Sequence, residues 1–215
     1  MLQQPTRFLR EIVPLITSLD SVGAGMLPIF SEAAAAALAE SVKAHTFRDR
    51  TPTYGPRSVV QNFRVCEEED VPQDSPIRRL ALELEEKWNE ALRLRCNLYD
   101  EPYLFATPLH FNDHLVLWYP QGDLGLGAHK DHSKYRNLIV SVTLCGRSVF
   151  NVHRGHDCPP YASFSVGPGD AVFMIAPGYR GKDIRPYHSV THVTDERIAL
   201  ILKQKEICDV QRWYP

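Results

Sequence analysis

The chain holds 215 residues, with 24 Lys and Arg against 26 Asp and Glu, for a formal net charge of −2. That near-balance excludes a basic nucleic-acid coat or a polybasic membrane binder as its main role. With 44% hydrophobic and 23% charged residues, it has the composition of a globular chain that buries its own core, and a disordered chain is excluded.

No apolar run approaches the roughly 20 residues needed to span a bilayer. Arg10, Glu11 and Pro14 break up the N-terminal stretch where a signal-peptide core would lie. The five cysteines (Cys66, Cys96, Cys145, Cys158, Cys208) are scattered and form no CxxC pair, so neither a zinc ribbon nor a thioredoxin-type site is indicated. Free thiols in a reducing compartment are expected, and with them a cytoplasmic protein without membrane partners.

The first predicted element is a helix over Ser31–Ala44, where Ser31 can cap, alanines favour helix, and Leu38 and Val42 form an apolar pair. A second helix is predicted over Ser75–Cys96, with Pro76 at its first position. Leu80, Leu84, Trp88 and Ala91 mark its apolar side. Arg57–Val65 reads as an early strand. From about residue 104 the pattern changes to short strands: His114–Tyr119, Leu138–Leu144, Val149–His153, Ala171–Ile175, Ser189–Val193 and Ile198–Lys203. Gly-, Pro- and Asp-rich turns separate them, at 120–123, 145–147, 167–170 and 177–178. The expectation is an α+β chain, one domain over 1–215. A helical and lid region covers about 1–103, and a jelly-roll core with helices packed outside covers about 104–205.

The chemistry concentrates in LWYPQGDLGLGAHKD, residues 117–131. His129 and Asp131 alternate, so on an extended backbone both project to one face and can take adjacent positions on a divalent ion. A third ligand is expected from a distant histidine. His188 lies 59 positions after His129, and Arg197 opens an apolar strand nine positions further on. An arginine facing the interior of a barrel requires an anion, and its planar fork suits a carboxylate. His192 is the rival third ligand, but it stands only five positions before Arg197.

These features in this order resemble the iron(II)- and 2-oxoglutarate-dependent dioxygenases. The features are the Asn112–Tyr119 strand, His129-x-Asp131, the Gly167–Asp170 turn, and His188 followed by Arg197. The run NDHLVLWYPQGD most resembles the AlkB-like branch. The resemblance implies a double-stranded β-helix (jelly roll) and an Fe(II) ion on His129, Asp131 and His188. It also implies 2-oxoglutarate held by Arg197 and Tyr119, with O2 as the second cosubstrate. Succinate and CO2 would be co-products. Lys203 stands where AlkB-like proteins carry a second arginine, as a further candidate for holding the cosubstrate, and Leu117 stands where that branch often has Asn. Halogenating relatives have a small residue in place of Asp131, so its presence implies hydroxylation or chemistry that follows from it.

The substrate is signalled less directly. Residues 46–64 carry Arg48, Arg50, Tyr54, Arg57 and Arg64, a candidate lid, and Lys130, Lys134, Tyr135 and Arg136 form a second cluster beside the metal pair. Tyr54, Arg57, Lys130 and Arg136 are the candidate substrate contacts. The leading expectation is hydroxylation of a small anionic or nucleotide-like molecule. An AlkB-like demethylase of alkylated nucleic acid bases is the alternative, and a non-catalytic jelly-roll binding protein is the third.

Overall fold

The structure, a computed structural model, describes residues 5–55, 58–99, 103–105, 107–120, 124–193 and 195–206. Arg57, the middle of the 120–123 turn and Cys208 lie outside them. The four described cysteines are free thiols.

Among the described residues, three α-helices and thirteen strands follow in order. They are α1 (Pro5–Val22), β1 (Ala24–Pro28), α2 (Glu32–Lys43), β2 (Arg48–Asp49), β3 (Thr53–Tyr54), β4 (Val59–Val60), β5 (Arg64–Cys66) and α3 (Pro76–Tyr99). Then come β6 (Asp113–Tyr119), β7 (Leu124–His129), β8 (Tyr135–Cys145), β9 (Ser148–His153), β10 (Pro160–Val166), β11 (Asp170–Ile175), β12 (Tyr187–Thr191) and β13 (Arg197–Lys205).

A seven-stranded sheet of order β1-β11-β8-β13-β6-β5-β2 faces a four-stranded sheet of order β10-β9-β12-β7. All the pairings are antiparallel. This is the expected jelly roll, with the helices against the outer face of the larger sheet. Strand β13 shows how the two faces are divided. Ile198, Leu200 and Leu202 join the core beneath the helices with Trp88, Leu84 and Phe173. Ala199 and Ile201 belong to the core between the sheets, with Tyr119, Phe150, Val152 and Val190. With period-two alternation, Arg197 and Lys203 share the inner face with Ala199 and Ile201. Trp88 is fully buried, its ring 5.2 Å from Phe173, and pins α3 to β11.

The α2 reading holds. Ser31 is its N-cap and its hydroxyl accepts the Ala34 N–H at 3.3 Å. Helix α3 runs three residues past the expected end. The six strands expected after residue 104 are all present, five within two residues at each end and β8 starting three residues before its expected Leu138.

Other elements differ from the expectation. α1 was not anticipated, because Pro14 inside it disguises an amphipathic helix. Strand β7 was missed because Gly125 and Gly127 dilute its signal, and β10 because its outward positions are serines. The expected strand at Arg57–Val65 is divided into β4, a lone bridge of Gln61 to Leu126, and β5. β1 and β2 come from the region expected to be helical and lid-like, and with β5, the end of the expected early strand, they complete the larger sheet. Among the described residues no helix is long and apolar enough to cross a membrane.

Candidate active site

Two strands of the smaller sheet bring the metal-ligand candidates together. β12 pairs with β7 so that His188 lies opposite His129. Asp131 follows two residues beyond the end of β7. One ligand atom from each of the three side chains lies within 4.8 Å of the others. The imidazole rings are 4.2 Å apart, and the Phe150 ring stacks on His188 at 5.4 Å.

Each imidazole is set in one tautomer by a carbonyl behind it. His129 Nδ1–H donates to Gly127 O at 2.8 Å, and His188 Nδ1–H donates to Pro186 O at 3.3 Å. A carbonyl can only accept, so both rings keep an Nε2 lone pair for a metal. Asp131 is aligned by the Lys203 ammonium, 2.6 Å from Oδ1, while Oδ2 lies 3.4 Å from His188 Nε2. Burial alone would raise the Asp131 pKa, but Lys203, then His188 and His129, hold it well below the usual carboxylate range. Burial, reinforced by His129, pushes His188 down to about 3, so the ring is neutral at physiological pH and able to ligate. Two imidazoles and one carboxylate on one side form the donor set of a non-haem Fe(II) centre.

The interior cation expected at Arg197 is present. Arg197 is 2% exposed and its guanidinium sits 4.9 Å from the centroid of the Tyr119 ring. Its Nη2 reaches Thr143 Oγ1 at 3.4 Å, whereas Nε and Nη1 are buried without a hydrogen-bond partner. Burial lowers the Arg197 pKa and raises that of Tyr119. A buried guanidinium with two unsatisfied donor atoms and no carboxylate is costly on its own, and a dianion that offers it a free, planar carboxylate end would satisfy it. The site residues therefore fit 2-oxoglutarate. Lys203, expected as a second cation toward the cosubstrate, has its ammonium on Asp131 instead.

The structure does not gather the remaining described candidates at one point. Lys130 is exposed, with its ammonium 4.6 Å from the Tyr187 ring centroid beside the metal ligands. Tyr54 is 70% exposed on the β3–β4 hairpin. That hairpin docks along β7: Gln61 bridges Leu126, and a Cβ on Gly127 would meet Val60 N at 3.2 Å. Arg136 is paired with Glu206 at 2.6 Å on the surface. Arg57 lies outside the described residues.

The other histidines separate cleanly from the site. His192 is exposed, with its Nδ1 2.9 Å from Thr191 Oγ1, and lines a different concavity of about 230 Å3 with Arg147 and Ser148. His132 is exposed and accepts the Lys134 N–H at 3.0 Å. His114, the first residue of the predicted His114–Tyr119 strand, is buried beside Glu68 at 2.6 Å, because Arg78 and Glu68 form a polar knot beneath β6. Asp170 closes its turn by accepting the Gly167 N–H at 2.8 Å, as expected.

Sequence reasoning missed Phe150, Thr143 and Arg185, whose guanidinium donates to the Asp131 carbonyl at 3.1 Å. For Phe150 and Thr143 the available signal was alternation, since both stand at inward positions of predicted strands. Arg185 carried no such signal.

The model of the 2OG-Fe(II) oxygenase superfamily matches residues 27–208. No curated protein sequence matches the chain significantly. Among solved structures it is similar to a Trichoplax adhaerens prolyl hydroxylase in complex with a hypoxia inducible factor oxygen degradation domain peptide fragment. The identity is 13% and the TM-score 0.60, with 93% of this chain and 91% of that chain covered. A Pseudomonas putida prolyl-4-hydroxylase matches at 13% identity and TM-score 0.58, covering 91% of this chain and 100% of that one. OsALKBH1 matches at 16% identity and TM-score 0.56, covering 86% and 97%. At these identities the likeness speaks for the fold, and the family match, spanning most of the chain, agrees with the donor set. The chain belongs to the 2OG-Fe(II) oxygenase superfamily, enzymes that use Fe(II), 2-oxoglutarate and O2.

Proposed function

We propose that this oxygenase hydroxylates a small anionic or nucleotide-like molecule, with His129, Asp131 and His188 holding Fe(II) and Arg197 holding the distal carboxylate of 2-oxoglutarate. The observation that carries the site assignment is the pairing of a convergent two-His, one-carboxylate set with an orphaned interior guanidinium. When bound, the metal and cosubstrate would supply O2 activation, with decarboxylation to succinate and CO2 coupled to substrate hydroxylation.

The protein's own part is binding, orientation and exclusion of water. His129 and His188 present Nε2 in fixed tautomers, and Asp131 presents a carboxylate whose other oxygen is engaged by Lys203. Arg197 and Tyr119 receive the cosubstrate at the far end of the same β13 face. Ala199 and Ile201 lie between the two cations along β13. Phe150, Val152 and Val190 wall the site with apolar surface, which strengthens every charge interaction inside.

The substrate class rests on the mouth. Lys130 pairs its ammonium with the Tyr187 ring, and Tyr54 projects from the hairpin docked beside His129. Such a pairing suits a ligand with a flat ring and a negative charge. A polynucleotide needs a continuous cationic track for its backbone. The loop arginines that would form one are neutralised: Arg48 is paired with Asp70 at 3.0 Å, Arg64 with Asp49 at 3.1 Å, and Arg50 with Glu67. The order of motifs from Asn112 to Lys203 supports an AlkB-like affiliation, here on a surface better suited to a small substrate.

Anaerobic titration of the apo-protein with Fe(II), then 2-oxoglutarate, should give the weak visible charge-transfer band of the chelated cosubstrate. Succinate release should then rise with small anionic aromatic candidates. Formaldehyde release from methylated single-stranded oligonucleotides, without stimulation by small molecules, would reverse the substrate assignment. Absence of the band would overturn the site assignment itself.

A further inference from the structure

We propose that Lys203 is a built-in counter-cation that holds the metal-free site together and competes with the metal for Asp131. Three observations converge on this. First, the metal site is a cluster of electron pairs: both imidazoles donate Nδ1–H to carbonyls, and a neutral ring held that way turns a lone pair, not an N–H, toward the carboxylate. Second, Asp131 is 13% exposed and His188 7%, so solvent offers the carboxylate little compensation for a missing cation. Third, the Lys203 side chain is only 10% exposed, and its ammonium lies 2.6 Å from Asp131 Oδ1.

Lys203 is itself held. Its ammonium lies 4.4 Å from the centroid of the Tyr135 ring. The Tyr135 hydroxyl is hydrogen-bonded to Asp113, which Lys205 pairs at 2.9 Å. Asp113 and Lys205 stand on the adjacent strands β6 and β13, so the position of Lys203 is set by the sheet. Arg197 on the same inner face has two unsatisfied donors, whereas Lys203 has a carboxylate. One interior cation awaits a ligand anion, and the other already has its own.

The competition has a consequence opposite to that of an ordinary supporting residue. Removing Lys203 leaves Asp131 buried without a positive charge when metal is absent. A divalent ion then supplies the whole countercharge, free of repulsion from a neighbouring ammonium. The metal-free protein is weakened while metal binding is tightened. An ordinary supporting residue, when lost, weakens metal binding. This inference rests on the assignment of His129, Asp131 and His188 as metal ligands.

The test compares the full chain with Lys203→Met and Lys203→Arg, in chelator and in Mn(II), a redox-stable probe of the Fe(II) site. Thermal melting and Mn(II) electron paramagnetic resonance are read together. Chelated Lys203→Met should melt at least about 6 °C below the chelated parent. Mn(II) should close that gap, with a dissociation constant about tenfold or more below the parent's. Lys203→Arg should keep the parent's pattern. Asp131→Asn added to Lys203→Met should recover the chelated melting temperature, and this arm decides the matter if Lys203→Met folds only with metal.

Weaker Mn(II) binding by Lys203→Met, an equal loss of stability with and without metal, or a failure to fold that Asp131→Asn does not relieve would each overturn the proposal. Absence of Mn(II) binding by the parent would overturn it too, together with the ligand assignment. Binding by the parent with an unaltered variant would overturn the role of Lys203 alone.

Discussion

His188 lies directly across from His129 in the antiparallel β12–β7 pair, and the two rings approach to 4.2 Å. Two histidines 59 positions apart in the chain thus become neighbours through backbone register, with Asp131 completing the set two residues on. Any slip of β12 by one residue would turn His188 to the other face of the sheet.

This pairing separates His188 from its sequence rival. His188→Ala and His129→Ala should each weaken Fe(II) binding by at least about 100-fold, more than the loss of a supporting contact costs. Both should abolish the visible band with 2-oxoglutarate. His192→Ala should leave the band and the metal affinity unchanged, because His192 is exposed and outside the cluster. Loss of the band in His192→Ala with retention in His188→Ala would exchange their roles.

Arg197 should matter for the cosubstrate and not for the fold. Removing one partner of a buried ion pair costs about 2–5 kcal/mol of binding. Arg197→Ala should therefore raise the 2-oxoglutarate dissociation constant about 100-fold while leaving Fe(II) affinity nearly unchanged. The cosubstrate-free protein should be no less stable with Arg197→Met, because a guanidinium with two unsatisfied donors contributes little to the empty site. Titration of the visible band gives the first quantity and thermal melting without 2-oxoglutarate gives the second.

The chain revealed its core strands and its donor set more clearly than its edges. β6, β8, β9, β11, β12 and β13 are apolar runs bounded by strong turns, so their periodicity was legible. His129, Asp131, His188 and Arg197 were legible because ligand chemistry demands those residue types on inward positions. β7 was not, since its glycines serve close packing and dilute the strand signal: a Cβ on Gly125 would lie 2.4 Å from Val190 O. The pairing of Lys203 with Asp131 was also hidden, because it joins residues 72 positions apart through three-dimensional packing. Charge alone could not foretell whether that lysine would face a ligand or a neighbouring carboxylate.

The turn before β9 offers a test of how tightly the cosubstrate end is built. Gly146 has φ +73°, and a Cβ there would fall 2.2 Å from Glu196 O and 2.9 Å from the Arg197 Cα. Gly146→Ala must therefore move the start of β13, and with it the guanidinium. The expected cost is about 2–4 kcal/mol in stability, from backbone strain and the displaced contact together. The 2-oxoglutarate affinity should fall as well, while Fe(II) binding at the opposite end of the strand should be retained. Equal loss of both affinities would indicate a general collapse of the sheet in place of a local shift at Arg197. Urea unfolding and the two titrations distinguish these outcomes.

Acid should destabilise the metal-free protein through His188. Its pKa is near 3 when folded, because burial and the neighbouring His129 disfavour the charged ring, against an ordinary value of 6.5 when unfolded. Between these values the unfolded chain binds a proton that the folded chain refuses. Stability therefore falls as pH drops from about 6.5 toward 3, and this contribution is flat above 6.5. One such proton gives a slope of about 1.4 kcal/mol per pH unit. Asp131 acts in the same direction but lower, since its folded pKa lies well below the usual 3.8. Urea midpoints of chelated protein from pH 7 to pH 4 should follow this slope, and the difference from His188→Gln isolates the histidine from every other titrating group. A variant that lost stability in acid as steeply as the parent would show that the ring accepts its proton without leaving the folded state.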